Sequence, residues 1–159
     1  MSERISGINH VGFTVTDLDR SVKFYSEVLE CTVVFEQEKK GGYLGAIVGY
    51  PEVDVRMVQV QSPGNTPRIE LFEYRAPRSA PKDLEPRNVG NAHVCFVVDD
   101  LPKMYERLLE HNVTTFSEPV EIDTGVNTGG YGLYAKDPDG ITIELFQLPK
   151  SKHKTDGSG

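Results

Sequence analysis

Two histidines and two glutamates recur at matching places in this chain, and together they form a donor set for a divalent cation. His10 opens the segment His10-Val11-Gly12-Phe13-Thr14-Val15, and His93 opens His93-Val94-Cys95-Phe96-Val97-Val98. Glu70 and Glu144 sit inside one tetrapeptide written twice, Ile69-Glu70-Leu71-Phe72 and Ile143-Glu144-Leu145-Phe146. A single strand histidine is more often structural, and a single strand glutamate more often faces solvent. Recurrence of both at equivalent places in two halves points instead to a shared task. Two imidazoles and two carboxylates without thiolate suit Ni, Zn, Co, Mn or Fe. On a strand, Glu70 shares its face with Phe72 and Tyr74, and Glu144 shares its face with Phe146 and Leu148. A carboxylate among apolar neighbours is costly to ionise unless a cation or a hydrogen-bond donor compensates it. One divalent metal ion held by His10, Glu70, His93 and Glu144 is therefore the expectation. A metal with open positions can hold two neighbouring oxygens of a substrate and stabilise the enolate or enediolate left when a proton departs from the adjacent carbon.

The elements that must position these groups repeat as well. Val11, Phe13 and Val15 alternate with Gly12 and Thr14, and Val94, Phe96 and Val98 alternate with Cys95 and Val97, as half-buried strands require. Each histidine then points away from the Val/Phe/Val face. Leu18, Val22, Tyr25 and Leu29 form a helical stripe behind Asp17 as N-cap; Leu101, Tyr105 and Leu108 repeat it behind Asp100, with Pro102 in the first turn. β-prone stretches follow around Val33 to Phe35, Tyr43 to Val48, Val55 to Gln61 and Arg68 to Tyr74, and in the second half at Thr114 to Phe116, Gly132 to Ala135 and Ile141 to Gln147. The reading is α+β: two tandem βαβββ modules that pair about a pseudo-twofold axis into a curved, partly closed eight-stranded sheet around the metal site. The modules span 1–75 and 92–149, joined by a Pro-rich, charged linker at 76–91, with a polar, disordered tail at 150–159. Glu73 has Gln147 as its counterpart, on the face of Leu71 and Leu145, and is read as structural. His111 and His153 have no partner in the repeat and are expected in solvent.

Composition narrows the partners. With 17 Lys+Arg against 24 Asp+Glu the formal charge is −7, and no basic stripe lies along a helix, which argues against nucleic acid and anionic membrane. No run approaches the roughly 18 apolar residues of a spanning helix. The start MSERISGINH lacks a secretory pattern, so a cytoplasmic protein is expected. Cys31 and Cys95 belong to no CxxC pair and read as reduced packing thiols.

The segment His10-Val-Gly-Phe-Thr-Val with Asp17-Leu18 and Phe24-Tyr25, the segment His93-Val-Cys-Phe-Val-Val, and Asp137-Pro-Asp-Gly140 leading into Ile143-Glu-Leu-Phe146 resemble the vicinal oxygen chelate superfamily. That group includes glyoxalase I, methylmalonyl-CoA epimerase, extradiol dioxygenases and bleomycin or fosfomycin resistance proteins. The resemblance covers residues 5 to 148 and implies metal ligands on the first and last strands of each module, which fall on His10, Glu70, His93 and Glu144. It implies a glyoxalase-like lyase or isomerase/epimerase acting on a small molecule, with Glu144, and after it Glu70, as the proton-carrying catalytic carboxylate. An Fe(II) extradiol-type dioxygenase using His10, His93 and Glu144 is the alternative from another class. A non-catalytic antibiotic-binding protein is the alternative without chemistry, although such members often lack the ligands. Family members acting on glutathione adducts usually carry an arginine where Thr14 stands, which speaks against glutathione. Phe72, Tyr74 and Phe146 are candidates to line the substrate pocket, Arg56 to meet an anionic group, and the glycine-rich stretch 123–132 to act as a lid. A homodimer is expected, because modules of this kind leave sheet edges to cover.

Overall fold

The computed structural model describes residues 4–64 and 67–150. The chain divides into two units, Met1–Lys82 and Asp83–Gly159. The first holds β1 (His10–Thr14), α1 (Leu18–Glu27), β2 (Thr32–Lys40), α2 (Gly42–Val48), β3 (Asp54–Gln61) and β4 (Arg68–Ala76). The second holds β5 (Val94–Val97), α3 (Leu101–Glu110), β6 (Val120–Glu121), β7 (Tyr131–Lys136) and β8 (Thr142–Gln147). Among the described residues these form two four-stranded sheets of one topology, β1-β4-β3-β2 and β5-β8-β7-β6. Between β4 and β5 the chain forms no helix or strand, and 151–159, where a disordered tail was expected, lie outside the described residues.

Each module begins with a strand, a capped helix and a parallel return. Asp17 accepts from the backbone N–H of Arg20 at 2.9 Å, and Asp100 accepts from that of Lys103 at 3.1 Å, so both helices start where the sequence places them. The helix α1 ends at Glu27, two residues short of Leu29, and the chain leaves through Glu30 in the left-handed region at φ 55°. β1 then pairs in parallel with β4, and β5 with β8. In the first sheet Val11 and Phe13 stand in register with Ile69 and Leu71, which in turn face Val60 and Val58. In the second, Phe96 and Leu133 flank Leu145. Leu71, Leu145 and Ile143 are fully buried, as are Leu18 and Tyr25 of α1 and Leu101 and Leu108 of α3. Burial of these faces under their helices is the main stabilising term in each unit.

The helices dock on the same face in both units through matching contacts. Glu73, in register with Arg56, takes the backbone N–H of Leu18 at 3.3 Å. Gln147, at the equivalent place on β8, takes that of Leu101 at 2.7 Å. Both residues satisfy a donor that the first turn of a helix otherwise leaves without a partner.

Two stretches expected as strands differ. Tyr43 to Val48 forms the helix α2, despite the β-branched Ile47 and Val48. Gly41 and Gly42 at φ 50° and 63° turn the chain out of β2, and Gly49 at φ 78° closes the helix. Gly45 lies so close under Tyr50 and Pro51 that a Cβ would sit 2.8 Å from their carbonyl oxygens. Leu44 and Val48 pack on Val53, Val55, Phe72 and Tyr74, so tertiary burial overrides β propensity. Thr114 to Phe116 meets β7 only through the bridge Thr115–Ala135 and two flanking hydrogen bonds. Pro119, which has no N–H to give, separates it from the edge strand β6.

Candidate metal centre

The strand register places each glutamate at the middle of a polar set on the face opposite α1 or α3. In the first unit Glu70 is flanked by Gly12 on β1 and Gln59 on β3, with His10 and Arg68 two residues earlier on their strands. In the second unit Glu144 is flanked by Cys95 on β5 and Tyr134 on β7, with His93 just ahead of β5. His10 Nε2 lies 3.3 Å from Glu70 Oε2, and His93 Nε2 lies 3.1 Å from Glu144 Oε2. The same pair of atoms is therefore brought together twice, once per module.

The first pair has an orientation that a cation would satisfy. His10 Nδ1 is 2.9 Å from Asn9 Oδ1, an oxygen that only accepts, so the tautomer that satisfies this contact is the one with its proton on Nδ1. In the neutral ring this leaves a bare Nε2 lone pair facing the Glu70 carboxylate, two acceptors in contact. A proton or a metal ion between them resolves the conflict. A backing oxygen on the far ring nitrogen is also how metal-bound histidines are held. Two donors each about 2.1 Å from one cation lie about 3.0 Å apart at a right angle and about 3.4 Å apart at the tetrahedral angle. Both pairs fall in that span.

Glu70 and Glu144 differ in their surroundings. Glu70 is a buried carboxylate, 7% exposed, and its Oε1 accepts from Gln59 Nε2 at 2.8 Å. Glu144 is more open, with 27% of its side chain exposed. Tyr134 reaches past Glu144 to His93, its hydroxyl 3.3 Å from Nε2 and its ring 5.0 Å from the imidazole. Burial, with the negative charge of Glu144 behind it, raises the Tyr134 hydroxyl above its ordinary pKa. Cys95 is exposed on this face beside Glu144, and only Cys31 is a buried packing thiol, which corrects the common reading of the two. The strand alternation puts Cys95 opposite Val94 and Phe96. Desolvation of its partly covered sulfur, then the charge of Glu144 and the hydrogen bond to it, push the Cys95 thiol up to about 11.

The remaining candidates are placed as follows. Phe72 and Tyr74 follow Glu70 on its face, with ring centroids 6.0 Å apart, and Tyr50 stands edge-on to Tyr74 at 6.4 Å. Phe146 follows Glu144 on its face, over Gly132. Arg56 does not join them. It stands on the helix side of the sheet, bound to Asp19 at 3.0 Å and Glu36 at 3.3 Å, with Glu38 and Glu73 within 4 Å. Its guanidinium is thus taken up by carboxylates of its own unit. His111 caps the end of α3 in solvent, and His153 lies outside the described residues. Among the described residues no three His, Cys, Asp or Glu side chains gather as one metal-holding group; each unit holds one His–Glu pair. Asn9, Gln59, Arg68 and Tyr134 were not singled out in the sequence, because their part depends on cross-strand register and the two modules fill those positions with different residue types.

Comparison with known proteins gives this arrangement a context. A family model described as the Glyoxalase/Bleomycin resistance protein/Dioxygenase superfamily matches residues 7–145. A 2-epi-5-epi-valiolone epimerase from Actinomyces sp. is 29% identical over 147 residues, 89% of this chain and 79% of its own length. The mitochondrial methylmalonyl-CoA epimerase of Homo sapiens is 29% identical over 147 residues, 88% of this chain and 73% of its own. The crystal structure of a glyoxalase family protein from Bacillus cereus superposes with a TM-score of 0.82 at 22% identity, covering 94% of this chain and 99% of that one. Among the described residues no helix is long and apolar enough to cross a membrane.

Proposed function

Since the chain belongs to the glyoxalase/bleomycin resistance protein/dioxygenase superfamily, we propose that it is a metal-dependent lyase or epimerase that moves a proton at the carbon next to a substrate carbonyl. The observation that carries this reading is the duplicated His–Glu pair, 3.3 Å in one unit and 3.1 Å in the other, on the face away from α1 and α3. His10, Glu70, His93 and Glu144 would together hold one divalent ion, from the set Ni, Zn, Co, Mn or Fe. Such an ion would supply Lewis-acid polarisation of adjacent substrate oxygens, which lowers the cost of removing a proton from the neighbouring carbon.

The rest falls to the protein's own groups. Glu144 is the proton carrier. Its carboxylate is the more open of the two, whereas Glu70 is buried and held by Gln59. A base must reach the substrate carbon and return the proton, which a mobile carboxylate does more readily than a fixed one. Phe72, Tyr74 and Phe146, each on the face of its unit's glutamate, would bind the apolar body of the substrate and exclude water. Two of the relatives are epimerases of 2-epi-5-epi-valiolone and of methylmalonyl-CoA, which supports small carbonyl compounds with an acidic neighbouring C–H as the substrate class. The two modules would close into the curved eight-stranded arrangement, and the protein would act as a cytoplasmic homodimer.

The test is metal content of wild type and Glu70→Ala purified without chelator, followed by hydrogen exchange in deuterium oxide with methylmalonyl-CoA, 2-epi-5-epi-valiolone and α-hydroxyketones. About one equivalent of metal per chain, lost in Glu70→Ala, with deuterium uptake abolished in Glu144→Gln, supports the reading. Absence of metal after reconstitution, or undiminished exchange in Glu144→Gln, sinks it. Iron retained in Glu70→Ala together with ring cleavage of catechols would move the protein to the dioxygenases.

A further inference from the structure

The two modules match at the histidine and the glutamate but not at the residue across the hairpin from the glutamate. In the first unit that residue is Gln59, in register with Glu70 on β3. Its Nε2 donates to Glu70 Oε1 at 2.8 Å, and its Oε1 accepts from Arg68 Nη1 at 2.9 Å. An amide has one donating end and one accepting end, and a guanidinium only donates. Arg68 therefore selects the orientation in which the Gln59 NH₂ group meets the carboxylate. One oxygen of the buried Glu70 is then occupied, and the other faces His10 Nε2.

The second unit lacks this amide device, and the side chain that hydrogen-bonds Glu144 from the neighbouring strand is the thiol of Cys95, a weaker donor. The place of Gln59 is taken by Tyr134, whose hydroxyl approaches His93 Nε2. The place of Arg68, two residues before the glutamate, is taken by Thr142, whose buried hydroxyl has no hydrogen-bond partner among the described residues. We propose that Gln59, oriented by Arg68, is a positioning residue that fixes the Glu70 carboxylate as a non-moving metal ligand, and that the absence of its equivalent beside Glu144 is what makes the two glutamates functionally unequal. This rests on the four-ligand reading above.

The experiment is titration of the metal-stripped full chain with Co(II), read by calorimetry and by the visible d–d absorption of the bound ion. Wild type is compared with Gln59→Met, which keeps length and removes both amide bonds, and with Arg68→Met at an exposed position. Gln59→Met is expected to weaken Co(II) binding by about 10–100-fold, the usual effect of losing an outer hydrogen bond to a ligand, and to change the d–d spectrum. Arg68→Met should act in the same direction and less strongly. A folded Gln59→Met with wild-type affinity and spectrum overturns the positioning role while leaving the four-ligand reading intact. If Gln59→Met does not fold, an unchanged affinity and spectrum in Arg68→Met overturns it in the same way. Failure of wild type to bind Co(II) removes both.

Discussion

Replacing Gln147 by alanine separates the structural from the chemical part of the repeated strand. Gln147 Oε1 accepts from the backbone N–H of Leu101 at 2.7 Å, a short bond to the first residue of α3. Leu101 is fully buried, so water cannot replace the lost acceptor without opening the helix–sheet contact. A buried donor left without a partner costs about 1–3 kcal/mol. For a chain of this length each kcal/mol moves Tm by about 2–4 °C, which gives a drop of about 2–12 °C. Glu73→Ala removes the counterpart bond, which is longer at 3.3 Å, but also a negative charge at the start of α1, worth about 0.3–1 kcal/mol more. Urea unfolding followed by circular dichroism gives both values, and Co(II) titration of the same samples gives the second axis. Both variants should lose stability and keep metal affinity, whereas Glu70→Ala and Glu144→Ala should lose affinity. A Gln147→Ala protein of unchanged stability, or one that loses Co(II) binding while still fully folded, would refute the assignment of this position to the helix.

Stability should also depend on acid in a way set by surface carboxylates. Hydrogen bonds from Arg56 to Asp19, from Arg75 to Glu38 and from the Lys103 backbone to Asp100 hold all three below the ordinary carboxylate range. Such groups bind fewer protons folded than unfolded, so their contribution is present above about pH 4 and is lost as pH falls through the lowered values. Unfolding midpoints measured from pH 7 to pH 3 should be flat at first and then decline, with a shallower decline in Arg56→Met; an equal slope in the variant would contradict this. In the metal-free protein, alkylation by iodoacetamide at pH 9 should be faster at Cys95 in Glu144→Gln than in wild type, because the charge of Glu144 helps to raise that thiol, whereas Cys31, raised by burial alone, should not change. Mass spectrometry of the modified peptides distinguishes the two sites. Leu71→Ala, at a fully buried position of β4, should cost about 2–5 kcal/mol by urea unfolding, and a loss under about 1 kcal/mol would show that the helix-side core is not where the register puts it.

Much of the fold was legible because the chain states it twice. The segments from His10 and His93, the aspartate caps and the two Ile-Glu-Leu-Phe tetrapeptides each mark the same element in both halves, and strand alternation assigns each residue to a face without reference to anything distant. The pairing of Glu73 with Gln147 carried the same information, and both turn out to hold a helix N-terminus. The stretch Gly42–Val48 was not legible. Its residue types favour a strand, and only packing on Val53 and Val55, between glycines in left-handed conformations, makes it a helix.

The candidate site divides along the same line. Which residues have side chains suited to a cation, and that they lie opposite α1 and α3, followed from residue type and a period of two. That Glu70 is gripped by Gln59 while Tyr134 passes Glu144 to reach His93, and that Arg56 is surrounded by carboxylates on the other face, depended on the register of β3 against β4 and of β7 against β8. Sequence determines such local alternation because it is a property of one strand. Register is decided only when two strands and the helix above them settle on a common core, so the hydrogen-bond partners of each glutamate belong to the tertiary structure alone.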